Sequence, residues 1–173
     1  MGNIIRFNEN TPVDDWICMS NMTTDVFINV LLLSGSILAK TETEKQLIVW
    51  IAEKDQRFVG LGTVGFDIID MPWNKETFSK DKLFLLKIIQ SAENKLGWEK
   101  LDYTPEFILP TLQKFREYIE KMTNDDIDDN ALREWFNAAD SNDPIHCGFP
   151  RCKKHHTFLT FLGCQICNSQ VED

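Results

Sequence analysis

The stretch Val26-Phe27-Ile28-Asn29-Val30-Leu31-Leu32-Leu33-Ser34-Gly35-Ser36-Ile37-Leu38-Ala39 decides the fold, because its apolar side chains fall on nearly every face of a helix rather than on one stripe. A helix of that kind has to be wrapped by other elements, and the pattern predicts it from about Asp14 to Ala39 as the centre of the core. Asn29, Ser34, Gly35 and Ser36 interrupt the run, which also falls short of the roughly 20 residues that a bilayer span needs. A buried core helix is therefore expected in place of a membrane span.

Downstream, Thr41 and Glu44 have the spacing of a capping box ahead of Leu47, Ile48, Trp50 and Ile51. This predicts a helix to about Asp55, although the branched run Leu47 to Ile51 is also compatible with a strand. Gly60, Gly62 and Gly65 open an irregular connector that ends at Met71-Pro72-Trp73. From about Phe78 to Leu96 apolar residues recur at helical spacing, and Gly97 stands where a left-handed cap is usual. A turn at 104–109 and a helix from Pro110 to about Met122 follow. Beyond the acidic linker 124–130, a short helix is expected from Ala131 to Ala139.

Composition changes after Pro144. Asn124 through Asp143 holds seven acids and Arg133 as the one base, whereas Ile145 to Asn168 holds Arg151, Lys153 and Lys154 and no acid. The expected organisation is a helical core domain over 1–143 and a Cys/His tail over 144–173. The fold class is mainly α: a compact helical domain with a C-terminal zinc-knuckle-like appendage.

Four of the five cysteines and all three histidines lie within the 22 positions from His146 to Cys167. Cys164-x-x-Cys167 is the tight turn that holds two thiolates on one metal, and Cys152-x-x-His155 supplies a matching half. The expected cofactor is structural Zn2+ on Cys152, His155, Cys164 and Cys167. Cys147 could replace His155 to give two thiolates in each half, and His146 or His156 could substitute as well. Four protein ligands leave no open position for water or substrate, so such a site stabilises rather than catalyses.

Other motifs read as structural. Gly60-Leu61-Gly62-Thr63-Val64-Gly65 matches the dinucleotide fingerprint in letters, but Pro72 arrives too soon for the helix whose N-terminus would meet a pyrophosphate. Asp126, Asp128 and Asn130 imitate an EF-hand opening in which Ala131 takes the place of the glycine. Ser79-x-x-Lys82 lacks the companion motifs of a serine/lysine nucleophile.

The 27 Asp and Glu against 18 Lys and Arg give a formal net charge of -9, which repels nucleic acid and anionic lipid and favours basic partners. The opening Met1-Gly2-Asn3-Ile4-Ile5-Arg6 has neither the basic and apolar regions of a secretory leader nor the Ser or Thr of a myristoylation motif at Arg6. A cytoplasmic protein is expected.

Gly65-Phe66-Asp67 with Pro72-Trp73, then Gly97-Trp98-Glu99 with Leu101-Asp102-Tyr103, then Cys152-x-x-His155 with Gly163-Cys164-x-x-Cys167, follow one another in order. In this order the blocks, over roughly Lys45 to Asn168, resemble a group of uncharacterised bacterial proteins, some of which look like immunity proteins of polymorphic toxin systems. The resemblance implies a non-catalytic immunity or inhibitor protein that covers a toxin's functional surface, and the acidic charge favours a basic partner, such as a basic toxin. Asp125, Asp126, Asp128 and Asp129 are the candidate partner-binding patch, with a solvated linker as the plainer reading. The competing class is a small enzyme using the carboxylates Asp67 and Asp70 beside the glycine-rich loop.

Overall fold

The computed structural model describes residues 3–170. Met1 and Gly2, on which part of the leader and myristoylation reading falls, and residues 171–173 of the expected tail lie outside the described residues. Six α-helices and one small sheet make up the regular structure there.

The central helix, α1 (Asn21–Leu38), is capped by Ser20, whose hydroxyl accepts the Thr23 N–H at 3.1 Å. Its residues from Thr24 to Ser36 are buried. By length and composition α1 could cross a membrane, but 72% of the span is buried inside the protein. Each fully covered Leu or Ile contributes about 1.5–3 kcal/mol through loss of apolar surface from water.

α1 does not begin near Asp14 as the sequence suggested. Ile17–Met19 forms strand β2, with its outer residues buried and Cys18 exposed, and pairs antiparallel with β1 (Asn3–Arg6) in the register Ile4 to Cys18. The helix can start only after this strand releases the chain at Ser20. On its other side β1 pairs in parallel with β3 (Phe66–Asp67), giving the order β2-β1-β3.

α2 (Glu42–Ala52) carries both hydrogen bonds of the Thr41/Glu44 capping box, so the branched run Leu47 to Ile51 is helical. It crosses α1 where Gly35 lies against Ile48, so closely that a Cβ on Gly35 would collide with that side chain. α3 (Phe78–Glu93) packs on α1 and on α4 (Leu109–Lys121). Regular helix ends at Glu93 rather than Leu96, because Lys95 and Gly97 both turn left-handed, with φ of 65° and 83°. A 3-10 turn at Glu106–Ile108 feeds α4.

The acidic stretch is ordered by its own carboxylates. Asp126 accepts the Thr123 N–H at 2.8 Å, Asp128 accepts the Asn130 N–H at 2.9 Å, and Asp129 pairs with Lys75 at 2.7 Å. α5 (Ala131–Ala138) then lies across the surface with no fully buried residue; Trp135 and Phe136 rest partly covered on the core.

The C-terminal segment packs onto the body. Ile145, Phe149 and Phe158 belong to the same buried cluster as α1 to α4, while Leu33 of α1 touches the group around Cys152, Cys164 and Ile166. Arg151 donates to the Ser36 carbonyl at 2.5 Å, and the Ser36 hydroxyl accepts the Phe158 N–H at 3.0 Å. The chain ends in α6 (Gln165–Ser169).

Candidate metal centre

Two short turns bring the four expected side chains together. In the first, the Cys152 N–H donates to the Thr157 carbonyl at 2.8 Å and the His156 N–H to the Cys152 carbonyl at 2.9 Å, so the chain curls round Cys152 and His155. The His155 N–H also points at the Cys152 sulfur, 3.4 Å away. In the second, Gly163 turns left-handed at φ 88° and delivers Cys164 to the N-cap of α6, which places Cys167 inside its first turns.

The ligand atoms of Cys152, His155, Cys164 and Cys167 all lie within 4.8 Å of one another, and this group can hold a metal ion. His155 Nδ1 lies 3.8, 3.5 and 3.3 Å from the sulfurs of Cys152, Cys164 and Cys167, and the Cys152 and Cys167 sulfurs are 3.7 Å apart. Cys152, His155 and Cys164 are buried and Cys167 is half-buried.

The outer shell orients these ligands. With Nδ1 turned to the thiols, the His155 Nε2–H donates to Gln170 Oε1 at 3.1 Å. Gln170 is itself held by Lys154 at 3.2 Å and through its amide to the Lys100 carbonyl at 3.2 Å, while Lys100 Nζ donates to the His155 carbonyl at 2.9 Å. Thr157 Oγ1 lies 3.4 Å from the Cys164 sulfur. Sequence spacing gave no signal for Gln170, Lys100 or Thr157, because none belongs to a ligand motif.

Burial pushes the Cys152 thiol up, but the backbone N–H groups of His155 and Lys154 and the neighbouring thiols outweigh it and bring it below its ordinary value. Burial, then the charge of Cys164, drive Cys167 to about 12, and burial lowers His155. The two thiols are thus pushed in opposite directions, and a bound cation would favour the thiolate form of each.

The alternative ligands stand elsewhere. Cys147 is exposed with its sulfur 3.8 Å from the Asn142 carbonyl, His146 packs edge-on against Phe136 at 4.4 Å, and His156 is exposed on a left-handed turn at φ 58°.

α6 is fastened to the body by polar contacts. Gln165 donates to the Ala52 and Asp55 carbonyls, both at 3.1 Å, and the Ser169 hydroxyl donates to Asp25 at 3.0 Å. Arg57 pairs with both Asp25 and Asp55. Burial raises Asp25 to about 6, with Arg57 pulling the other way and Asp55 adding to the rise.

Asp67 and Asp70 line one cleft of about 300 Å3 with Arg6 and Trp16. Both Asp67 oxygens are taken by the Arg6 guanidinium, at 2.7 and 2.9 Å, and burial raises Asp70. The glycine-rich loop leads into β3 and a 3-10 turn at Ile68–Asp70, with no helix N-terminus there to face a phosphate. A Cβ on Gly65 would run into the backbone of Ile4, so this glycine permits the β1/β3 pairing. Lys82 donates to the Glu120 and Met122 carbonyls at the end of α4, and Ser79 is exposed in the first turn of α3.

Of the candidate partner patch, Asp125, Asp128 and Asp129 are exposed and Asp126 half-buried. Asp129 lines a cleft of about 600 Å3 together with the acids Glu42 and Glu76 and the bases Lys75 and Arg133. No family model, curated protein or solved structure matches this chain.

Proposed function

We propose that Cys152, His155, Cys164 and Cys167 bind one structural Zn2+, and that the protein acts without turnover by binding a basic protein partner in the cytoplasm, in the manner of a bacterial immunity or inhibitor protein. The observation that carries the metal reading is the shape of the ligand set. With zinc–sulfur bonds of about 2.3 Å and a zinc–nitrogen bond of about 2.05 Å, a tetrahedron has edges of about 3.8 Å between sulfurs and about 3.6 Å between sulfur and nitrogen. The Cys152 to Cys167 sulfur separation is 3.7 Å and the three sulfur–nitrogen separations are 3.3 to 3.8 Å, and all four ligand atoms lie within 4.8 Å of one another. Cys3His is also a ligand set of structural zinc, and it fills every tetrahedral position.

The binding reading is supported by the charge of -9 and by the exposed acids 125, 128 and 129. A surface of this sign speeds encounter with a basic protein. Affinity capture of the tagged zinc-loaded chain from its native host, followed by co-expression with any basic toxin recovered, tests it. Stoichiometric rescue of growth supports the role, and multiple turnovers of a small substrate by the partner-free chain would overturn it.

A further inference from the structure

A second cleft, of about 300 Å3, opens where the chain leaves α2 and is lined by Glu53, Trp135, Ala138, Ala139, Asp140, Asp143 and Phe161. Its lining has three carboxylates, two aromatic walls and no base. Glu53 is 9% exposed and Asp143 8%, so two acids face this space from nearly complete cover. Glu53 Oε2 accepts the Trp135 indole N–H at 2.8 Å, and among the described residues no hydrogen bond reaches Oε1. Asp143 accepts the Ile145 N–H at 3.1 Å. None of the ion pairs among the described residues includes Glu53, Asp140 or Asp143.

Buried carboxylates are ordinarily paired, because an uncompensated charge away from water is costly. The neighbouring Lys54 makes no direct ion pair with Glu53: its ammonium lies 3.7 Å over the Trp50 ring and acts on the carboxylate only at longer range. Phe161 is 52% exposed, so an aromatic face is available to a charged visitor beside the carboxylates. The cleft also lies at the C-terminal end of α5, where unpaired carbonyls add negative potential.

We propose that this cleft binds an alkylammonium or guanidinium group, with Glu53 and Asp143 as counter-ions and Trp135 and Phe161 as the faces that the cation packs against. Carboxylates and aromatic faces together select organic cations, which gain from both, over strongly hydrated metal ions. As a socket for a Lys or Arg of a basic partner the assignment rests on the binding role proposed above; as a cation site it stands on its own lining. Burial holds Glu53 at about 7, with the Trp135 hydrogen bond opposing, Asp143 adding to the rise and Lys54 opposing it. A bound cation favours the ionised form, so affinity increases from pH 6 to pH 8 by up to about tenfold.

The test is titration of the zinc-loaded full chain, at constant ionic strength, with n-butylammonium, methylguanidinium, and neutral-flanked peptides holding one Lys or one Arg. Amide signals of Ala138 and Ala139 and the Trp135 indole signal are followed by NMR. Saturable shifts, weakened at least tenfold in Glu53→Gln and losing their pH dependence there, are expected. Gln keeps the acceptor for the indole, and Asp143→Asn is a second, independent variant. Tighter binding of the peptides identifies a polypeptide as the source, and equal binding a free small cation. Shifts that do not saturate, or that persist unchanged in both variants, overturn the site while leaving partner capture to be judged separately.

Discussion

The His155 Nε2 donates to Gln170 Oε1 at 3.1 Å, across 15 residues, and that bond fixes which imidazole nitrogen faces the thiols. Gln170→Ala frees the ring to turn and removes the acceptor that makes Nδ1 a better ligand. Metal affinity, measured by competition with a chelator, is expected to fall roughly 10- to 100-fold, with the helical signal in circular dichroism retained. Unchanged affinity would mean that the ring is held by packing alone.

Gly65→Ala places a methyl group against the backbone of Ile4, where neither partner has a flexible end to move. The parallel pairing of Ile5 with Phe66 is lost or displaced, at a cost of about 1–3 kcal/mol in urea unfolding. Gly60→Ala meets no neighbouring atom but has to adopt φ of 79°, a penalty of about 1 kcal/mol. Equal stability of Gly65→Ala and the parent would contradict the close approach.

Those two glycines show where the sequence was legible. Local signals held: the Thr41/Glu44 box, the helical periodicity after Phe78, and the cysteine and histidine spacing each involve residues a few positions apart. The sheet was not legible, because Ile4 finds Cys18 and Ile5 finds Phe66 at long range, and three alternating residues at Ile17–Met19 are too few to announce a strand. For the same reason the apolar pattern places the start of α1 ahead of Asn21, where the helix begins. Glu53 and Gln170 carry no sequence signal, because burial and a bond to a ligand's far nitrogen are properties of the folded chain.

Glu53 makes stability depend on pH in a stated direction. Its folded value of about 7 stands above the ordinary 4.5, so the proton is bound more tightly in the folded state. The contribution is fully present below pH 4.5 and is lost as pH rises through about 7. Glu53→Gln removes this dependence and is expected to exceed the parent in stability at pH 8 by up to roughly 3 kcal/mol, with little difference near pH 4.5. Urea unfolding of both proteins across this range measures it; parallel pH profiles would refute it.

Converting Asp125, Asp126, Asp128 and Asp129 to Asn removes four charges while keeping the turn-forming side chains. If this run meets the basic partner, association slows by roughly tenfold and its dependence on salt flattens, with dissociation little changed. Stopped-flow kinetics against the captured partner decide it. Identical rates would move the contact elsewhere on the surface, while thermal unfolding should be nearly unaltered because the Lys75 to Asp129 pair is exposed.

Metal analysis of the purified protein and of its Cys164→Ser variant, read together with thermal unfolding, bears most directly on the proposed zinc staple. Four ligands closing one tetrahedron give about one zinc per chain in the parent. In the variant, zinc is lost or its affinity falls steeply, and unfolding comes earlier, because α6 loses its tie to the turn at Cys152. Chelation of the parent should lower the unfolding temperature in the same way. A parent that carries no zinc after purification in its presence, or a variant that retains a full equivalent with unchanged affinity and unfolding temperature, would contradict the assignment of Cys152, His155, Cys164 and Cys167 as a zinc staple.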